Sequence, residues 1–238
     1  MHYCRAAGIT PHQIAISSEG ADVAMQLDRF TIRADGLDGK KAFQYEATVL
    51  GMLRSLEQMQ VGRALMQAFR FYRREVLIYP YDGRVGDCNA YVDETWGMFR
   101  TKLSFSPMDF LRKSTCFSDQ GVDATPHEVL FHELVHAMRA SAGKRLSFEG
   151  HPGEERIAVM VTNVFSSEIN RPLRLPGNVM DQMNMSAADY ASIASRMIDV
   201  FYRQHPEFFR WVAECVVPFN PLRVYYQTLK GVPRLRTA

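Results

Sequence analysis

Within TPHEVLFHELVHAMRASA, residues 125–142, two histidines flank a glutamate in the order His132-Glu133-Leu134-Val135-His136. Side chains four apart on a helix lie one above the other. If the stretch is helical, both imidazoles project from one face with Glu133 beside them. Two neutral nitrogen ligands, a carboxylate base and an open coordination position are what hydrolytic zinc requires. The spacing therefore predicts metal-assisted hydrolysis, with His132 and His136 as zinc ligands and Glu133 as general base.

The surrounding residues specify the helix that this chemistry needs. Thr125 and Glu128 form a capping-box pair, and Pro126 stands at the first helical position, where its missing N–H does no harm. Gly143 offers a left-handed stop at the far end. Val129, Leu130, Phe131, Leu134, Val135, Ala137 and Met138 are apolar around most of the circumference. Such a helix is buried, so its histidines should face a cleft rather than open water.

Hydrolytic zinc keeps three protein ligands, so one more is needed. A metzincin would carry a glycine three residues after His136 and a histidine three beyond that; Arg139 and Ala142 stand there instead. The downstream candidates are His151, Glu154, Glu155 and Glu168. His151 lies in a Gly/Pro-rich stretch that orients a ligand poorly. Glu154 and Glu155 open an apolar-rich helix, EERIAVMVTNVFSSE, which can return beside the motif helix. Only one of two adjacent glutamates can face the metal. Glu155 is favoured over Glu154, because Glu155-x-x-Ala158 places a small residue where the two helices approach. The other glutamate would be an ordinary carboxylate at a helix N-terminus. Glu168, at the helix end, is the weakest choice.

The chain has 238 residues, 47% of them hydrophobic, and a net charge of +2. These values suit one domain over residues 1–238 and argue against disorder. The near-neutral charge, with no basic run interleaved with aromatics, gives no reason to expect nucleic-acid binding. Cys4, Cys88, Cys116 and Cys215 are scattered and form no C-x-x-C pair, as expected for a reducing compartment. No apolar run approaches the roughly 18 residues needed to span a bilayer. The N-terminal residues lack a secretory core. A soluble protein without membrane insertion is expected.

Strand patterns fall at Ile14–Ser17, Phe30–Arg33 (closed by Asp35-Gly36), Glu75–Tyr81, 90–95 and 101–106, with helices over 42–59 and 61–72. Leu103 and Phe105 alternate with Lys102, Ser104 and Ser106, and the following Pro107 suggests a sheet edge that could receive an extended peptide. Residues 108–124 and 170–185 read as loops. Helices resume at 187–203 and 206–217. Strands and helices mixed first, then helices alone, predict an α+β fold with a small mixed sheet and a helical C-terminal part over 187–228.

HELVH, a downstream glutamate helix and the missing metzincin tail together resemble gluzincin-type zinc peptidases. More narrowly, LFHELVHAMR, EERIAVMVTNVFSSE with Arg171-Pro-Leu-Arg174, and FNPLRVYY resemble peptidase family M91, bacterial effectors delivered into host cells by type III secretion. The likeness covers residues 101–228, more loosely 45–80. It implies a zincin-like fold and a zinc-dependent endopeptidase with His132, His136 and Glu155 on zinc and Glu133 as base. It further implies secretion by a non-Sec route through a dedicated machinery, and a host cytosolic protein, a signalling kinase for example, as substrate. Arg223-Val-Tyr-Tyr226 also resembles the R-x-x-Y step of clostridial neurotoxin proteases. There Arg223 and Tyr226, or Tyr225 in its place, would stabilise the developing oxyanion; a C-terminal helix packing its tyrosines on the core is the alternative. Two other functions compete: a catalytically inactive interaction protein on the same fold, and a housekeeping peptidase acting in the bacterial cytoplasm.

Overall fold

Alternating apolar residues build one face of a five-stranded sheet, and the helices close over it. A computed structural model describes residues 24–81, 90–93, 100–107, 124–141, 152–175 and 178–231. The expected strand at Ile14–Ser17, most of the 108–124 loop, the Gly143 stop and His151 lie outside the described residues. The strands are β1 (Met25–Leu27), β2 (Phe30–Ile32), β3 (Glu75–Tyr79), β4 (Ala90–Asp93) and β5 (Arg100–Phe105), in spatial order β1-β2-β3-β5-β4. The β2–β3 and β3–β5 pairs are parallel and the outer pairs antiparallel. Phe30, Ile32, Val76, Ile78, Ala90, Val92, Leu103 and Phe105 are all buried. Lys102 sits on the opposite face, its Nζ 4.8 Å from the centre of the Tyr79 ring, so the alternation in this strand is as the sequence indicates.

One expectation is corrected here. The strand at 101–106 is not an edge: β5 pairs with β3 on one side and β4 on the other. Pro107 follows the last ladder residue, so its missing N–H costs the sheet nothing. The outer strand is β4.

Helices α1 (Gly39–Gln58) and α2 (Gln60–Phe71) connect β2 to β3. They meet at Met59 alone, which is extended and belongs to both ends. No glycine or proline makes this break. The Glu168 carboxylate makes it tenable by accepting from the N–H groups of Gln60 (2.6 Å) and Val61 (2.9 Å), a negative group at a helix N-terminus. Gly62 lets α2 fold back this sharply: a Cβ there would lie 1.9 Å from the Leu56 carbonyl oxygen.

The motif helix α3 (Pro126–Ser141) lies against β4 and β5 and packs along α4 (Pro152–Glu168). Leu130, Phe131, Leu134, Val135, Ala137 and Met138 are fully buried, and Phe131 stacks on Phe165 of α4 at 4.4 Å. Beyond α4 the chain departs from expectation twice. Residues 170–185, read as loop, contain the hairpin β6 (Arg174–Leu175) and β7 (Asn178–Gln182). The Asn163 amide fastens it, donating to the Arg174 carbonyl (2.7 Å) and accepting from the Arg174 N–H (2.9 Å). Two- and five-residue strands are too short to show a period of their own. The helix expected over 187–203 is two, α5 (Ala187–Ile193) and α6 (Ser195–Gln204), parted at Ala194. Then come α7 (Pro206–Glu214) and α8 (Pro221–Leu229). With eight helices and this sheet among the described residues, the fold is mixed α+β and helix-rich. None of these helices is long and apolar enough to cross a membrane.

Candidate metal centre

The register between α3 and α4 is set at their cap. The Thr125 N–H donates to Glu128 Oε2 (2.8 Å), and the Glu128 N–H donates to Thr125 Oγ1 (3.2 Å), a complete capping box. Glu128 is itself buried. Its carboxylate also accepts from Ser166 Oγ (2.7 Å) and Arg171 Nε (3.3 Å). The residues that start α3 thus hold the end of α4, and the two helices cannot slide past one another without breaking that set.

With the helices so fixed, three donor atoms converge. His132 Nε2 and His136 Nε2 are 3.1 Å apart. Glu155 Oε2 lies 3.1 Å from His136 Nε2, and Glu155 Oε1 3.3 Å from His132 Nε2. His132 and His136 are largely buried, while the Glu155 side chain is 44% exposed, so the cluster opens on the glutamate's side. Among the described residues it is the one group of three His, Cys, Asp or Glu side chains arranged to hold a metal ion.

Hydrogen bonds assign the histidine tautomers. Thr162 Oγ1 spends its proton on the Ala158 carbonyl oxygen (2.8 Å), so it can only accept from His132 Nδ1, 3.3 Å away. His132 Nδ1 therefore carries the hydrogen and Nε2 a lone pair. His136 Nδ1 is buried without a well-formed hydrogen bond; the carboxylate oxygen Glu154 Oε1 faces it at 3.5 Å. A carboxylate requires a proton on the facing nitrogen, which again leaves Nε2 as the donor. The two Nε2 atoms and the Glu155 carboxylate then face one another, a set that attracts a cation, either a proton shared by His136 and Glu155 or a metal ion held by all three. Ligands about 2.0–2.1 Å from one tetrahedral zinc stand roughly 3.3 Å apart, and the observed separations agree. The residues present fit the ion.

The local field favours positive charge as well. Burial would lower the His136 pKa, but the Glu154 and Glu155 carboxylates, with Glu133 nearby, raise it to about 10. Burial would raise that of Glu154, but His136 and Arg139 bring it down to about 2. Glu155, for which burial also acts upward, is held well below the carboxylate range by His132 and His136.

Glu155 thus stands where it could supply a third ligand, and its neighbour is engaged elsewhere. Glu154 is buried and gripped by Arg139, whose Nε and Nη2 donate to Oε1 (2.7 Å) and Oε2 (2.9 Å). Glu168 is committed to the N-terminus of α2. Arg223, Tyr225 and Tyr226 have partners away from the cluster. Arg223 Nη1 contacts the Cys215 carbonyl at 3.5 Å, and the Tyr225 hydroxyl donates to Asp199 (3.1 Å). Tyr226 packs edge-on to Phe209 beneath Lys230 Nζ. The helix that carries them docks through Phe219 on Ser167, which is twelve residues, or about 18 Å, along α4 from Glu155. Sequence reasoning missed the supporting roles of Thr162 and Arg139. Spacing held the signal for both: Thr162 is two helical turns after Glu155, and Arg139 one turn after His136.

Comparison of the chain with protein-family models, with curated proteins and with solved structures gave no match.

Proposed function

We propose that the chain is a zinc-dependent endopeptidase on a zincin-like α+β scaffold. The observation that carries this reading is the convergence of His132 Nε2, His136 Nε2 and the Glu155 carboxylate, whose Oε2 lies 3.1 Å from His136 Nε2 and whose Oε1 lies 3.3 Å from His132 Nε2, with both Nδ1 atoms turned to other partners. Zinc bound there would lower the pKa of a water and polarise a peptide carbonyl. Glu133 shares the turn of α3 with His132 and lies near enough to act on the charge of His136. It takes the proton from the attacking water and passes it to the departing amine. The histidines move no proton, because each holds its own on Nδ1. Their rings are fixed by burial, so their part is to keep two lone pairs aimed at one point. Glu155, partly exposed, is the ligand on the side by which substrate enters. Arg223 and Tyr226 take no part in this scheme.

The resemblance of LFHELVHAMR and FNPLRVYY to type III secreted effectors supports a narrower version: delivery into a host cell and cleavage of a cytosolic protein there. The decisive experiment is elemental analysis of the purified chain together with Glu133→Gln. Wild type should carry one zinc and cut peptide substrates. The variant should carry the same zinc and lose about 10²- to 10⁴-fold in turnover. A wild type without stoichiometric zinc, or a variant as active as its parent, overturns the assignment. Toxicity on expression in a eukaryotic cell, abolished by the same substitution, tests the narrower version.

A further inference from the structure

Glu154 and Arg139 form an ion pair in the interior, and nothing in the proposed reaction uses it. Arg139 has no exposed surface and Glu154 has 1%. The guanidinium forks onto both carboxylate oxygens, gives Nη2 also to Gln204 Oε1 (3.0 Å) and lies 5.5 Å from the centre of the Phe201 ring. Taking two charges out of water costs several kcal/mol, and such pairs are often replaced by apolar side chains without loss of stability. Stability is therefore a poor reason for this pair, and its position supplies a better one. Adjacent residues on a helix diverge by about 100°, so while Glu155 meets the Nε2 side of His136, Glu154 meets the Nδ1 side, with Oε1 at 3.5 Å. Among the described residues no other acceptor makes a hydrogen bond to Nδ1.

We infer that Glu154, anchored by Arg139, is a positioning carboxylate for the metal centre: it keeps the proton of His136 on Nδ1 and so turns the Nε2 lone pair towards the metal ion. This rests on the zinc reading above. Carboxylates behind a ligating histidine orient the ring and raise its basicity, and losing one weakens metal affinity by about 10- to 100-fold. Arg139 supplies what the carboxylate needs for the task. Its two parallel bonds leave the carboxylate little freedom to turn. Gln204 and Phe201 both lie on α6, so a helix that contributes no ligand helps to hold the one histidine that has no hydroxyl behind it.

The test measures zinc affinity by competition with a chromophoric chelator, and the visible spectrum of the cobalt(II)-substituted protein, in Arg139→Met/Glu154→Leu. The double change leaves no uncompensated buried charge, so the metal-free fold should keep a melting temperature near that of the wild type. Its zinc affinity should fall by about 10- to 100-fold and its cobalt spectrum should shift, effects that a merely structural pair would not produce. If the double variant does not fold, Glu154→Gln, which preserves shape while removing charge, decides by the same two readouts. A folded variant that holds zinc within about threefold of the wild type overturns the inference and leaves the metal centre standing. A wild type that takes up no zinc overturns both.

Discussion

The two ends of α4 both carry polar side chains with partners on other elements and use them in opposite ways. At the C-terminal end, Ser166 serves the Glu128 cap, Ser167 accepts from the Phe219 N–H, and Glu168 receives two N–H groups of α2. Each is matched to a complementary hydrogen-bonding partner within the fold. Nearer the N-terminal end, Glu155 and the two histidines turn their ligand atoms towards one another, while Glu154 and Thr162 stand behind the rings. That set could hold a metal ion. The difference separates, within a single helix, a polar cluster that builds the fold from one that could hold a metal ion.

Substitutions at the two ends should therefore fail in different assays. The largest effect belongs to Glu133→Gln, with turnover down by about 10²- to 10⁴-fold and zinc content unchanged. Next is Glu155→Ala, which removes a ligand: zinc should be lost on dialysis, and the remaining apoprotein should melt at a temperature that added zinc no longer raises, as linkage requires when nothing binds the native state. At the other end, Glu168→Ala should destabilise by about 1–3 kcal/mol in urea denaturation, because two N–H groups of α2 lose their acceptor. Its zinc affinity should match the wild type. A Glu168 variant that loses zinc without losing stability would erase the contrast.

The convergence of His132, His136 and Glu155 was easier to read from the sequence than its supports. His132, Glu133 and His136 lie within one helical turn, and a period of four is visible in any helix. The capping box, the buried circumference of α3 and the choice of Glu155 over Glu154 follow from equally local rules. The rest depends on partners distant in sequence. No local signal says that Glu168 caps a helix 108 residues earlier, or that Asn163 pairs with Arg174 to make a hairpin of residues 170–185. The break between the first two helices was legible, read one residue late, but its support was not: Met59 is followed by N–H groups that a carboxylate from α4 accepts. Pro107 misled because proline after a strand resembles proline in an edge strand.

The smallest expected effect concerns Arg223 and Tyr226, whose spacing suggests an oxyanion clamp. From Tyr226 a row of packed side chains runs to Phe209, then Phe201, then the Arg139 guanidinium and Glu154. This row reaches His136 at Nδ1, behind the ring, whereas substrate would meet the centre on the Nε2 side. Along this row the phenol is separated from the ligand atoms by several packed side chains. Tyr226→Phe and Arg223→Met should therefore leave kcat/KM within about threefold of the wild type, a change below 1 kcal/mol in transition-state binding. A loss of about a hundredfold in kcat at unchanged zinc content is the signature of a missing oxyanion donor. That result would bring α8 to the substrate side and give the C-terminal helices a share in the chemistry.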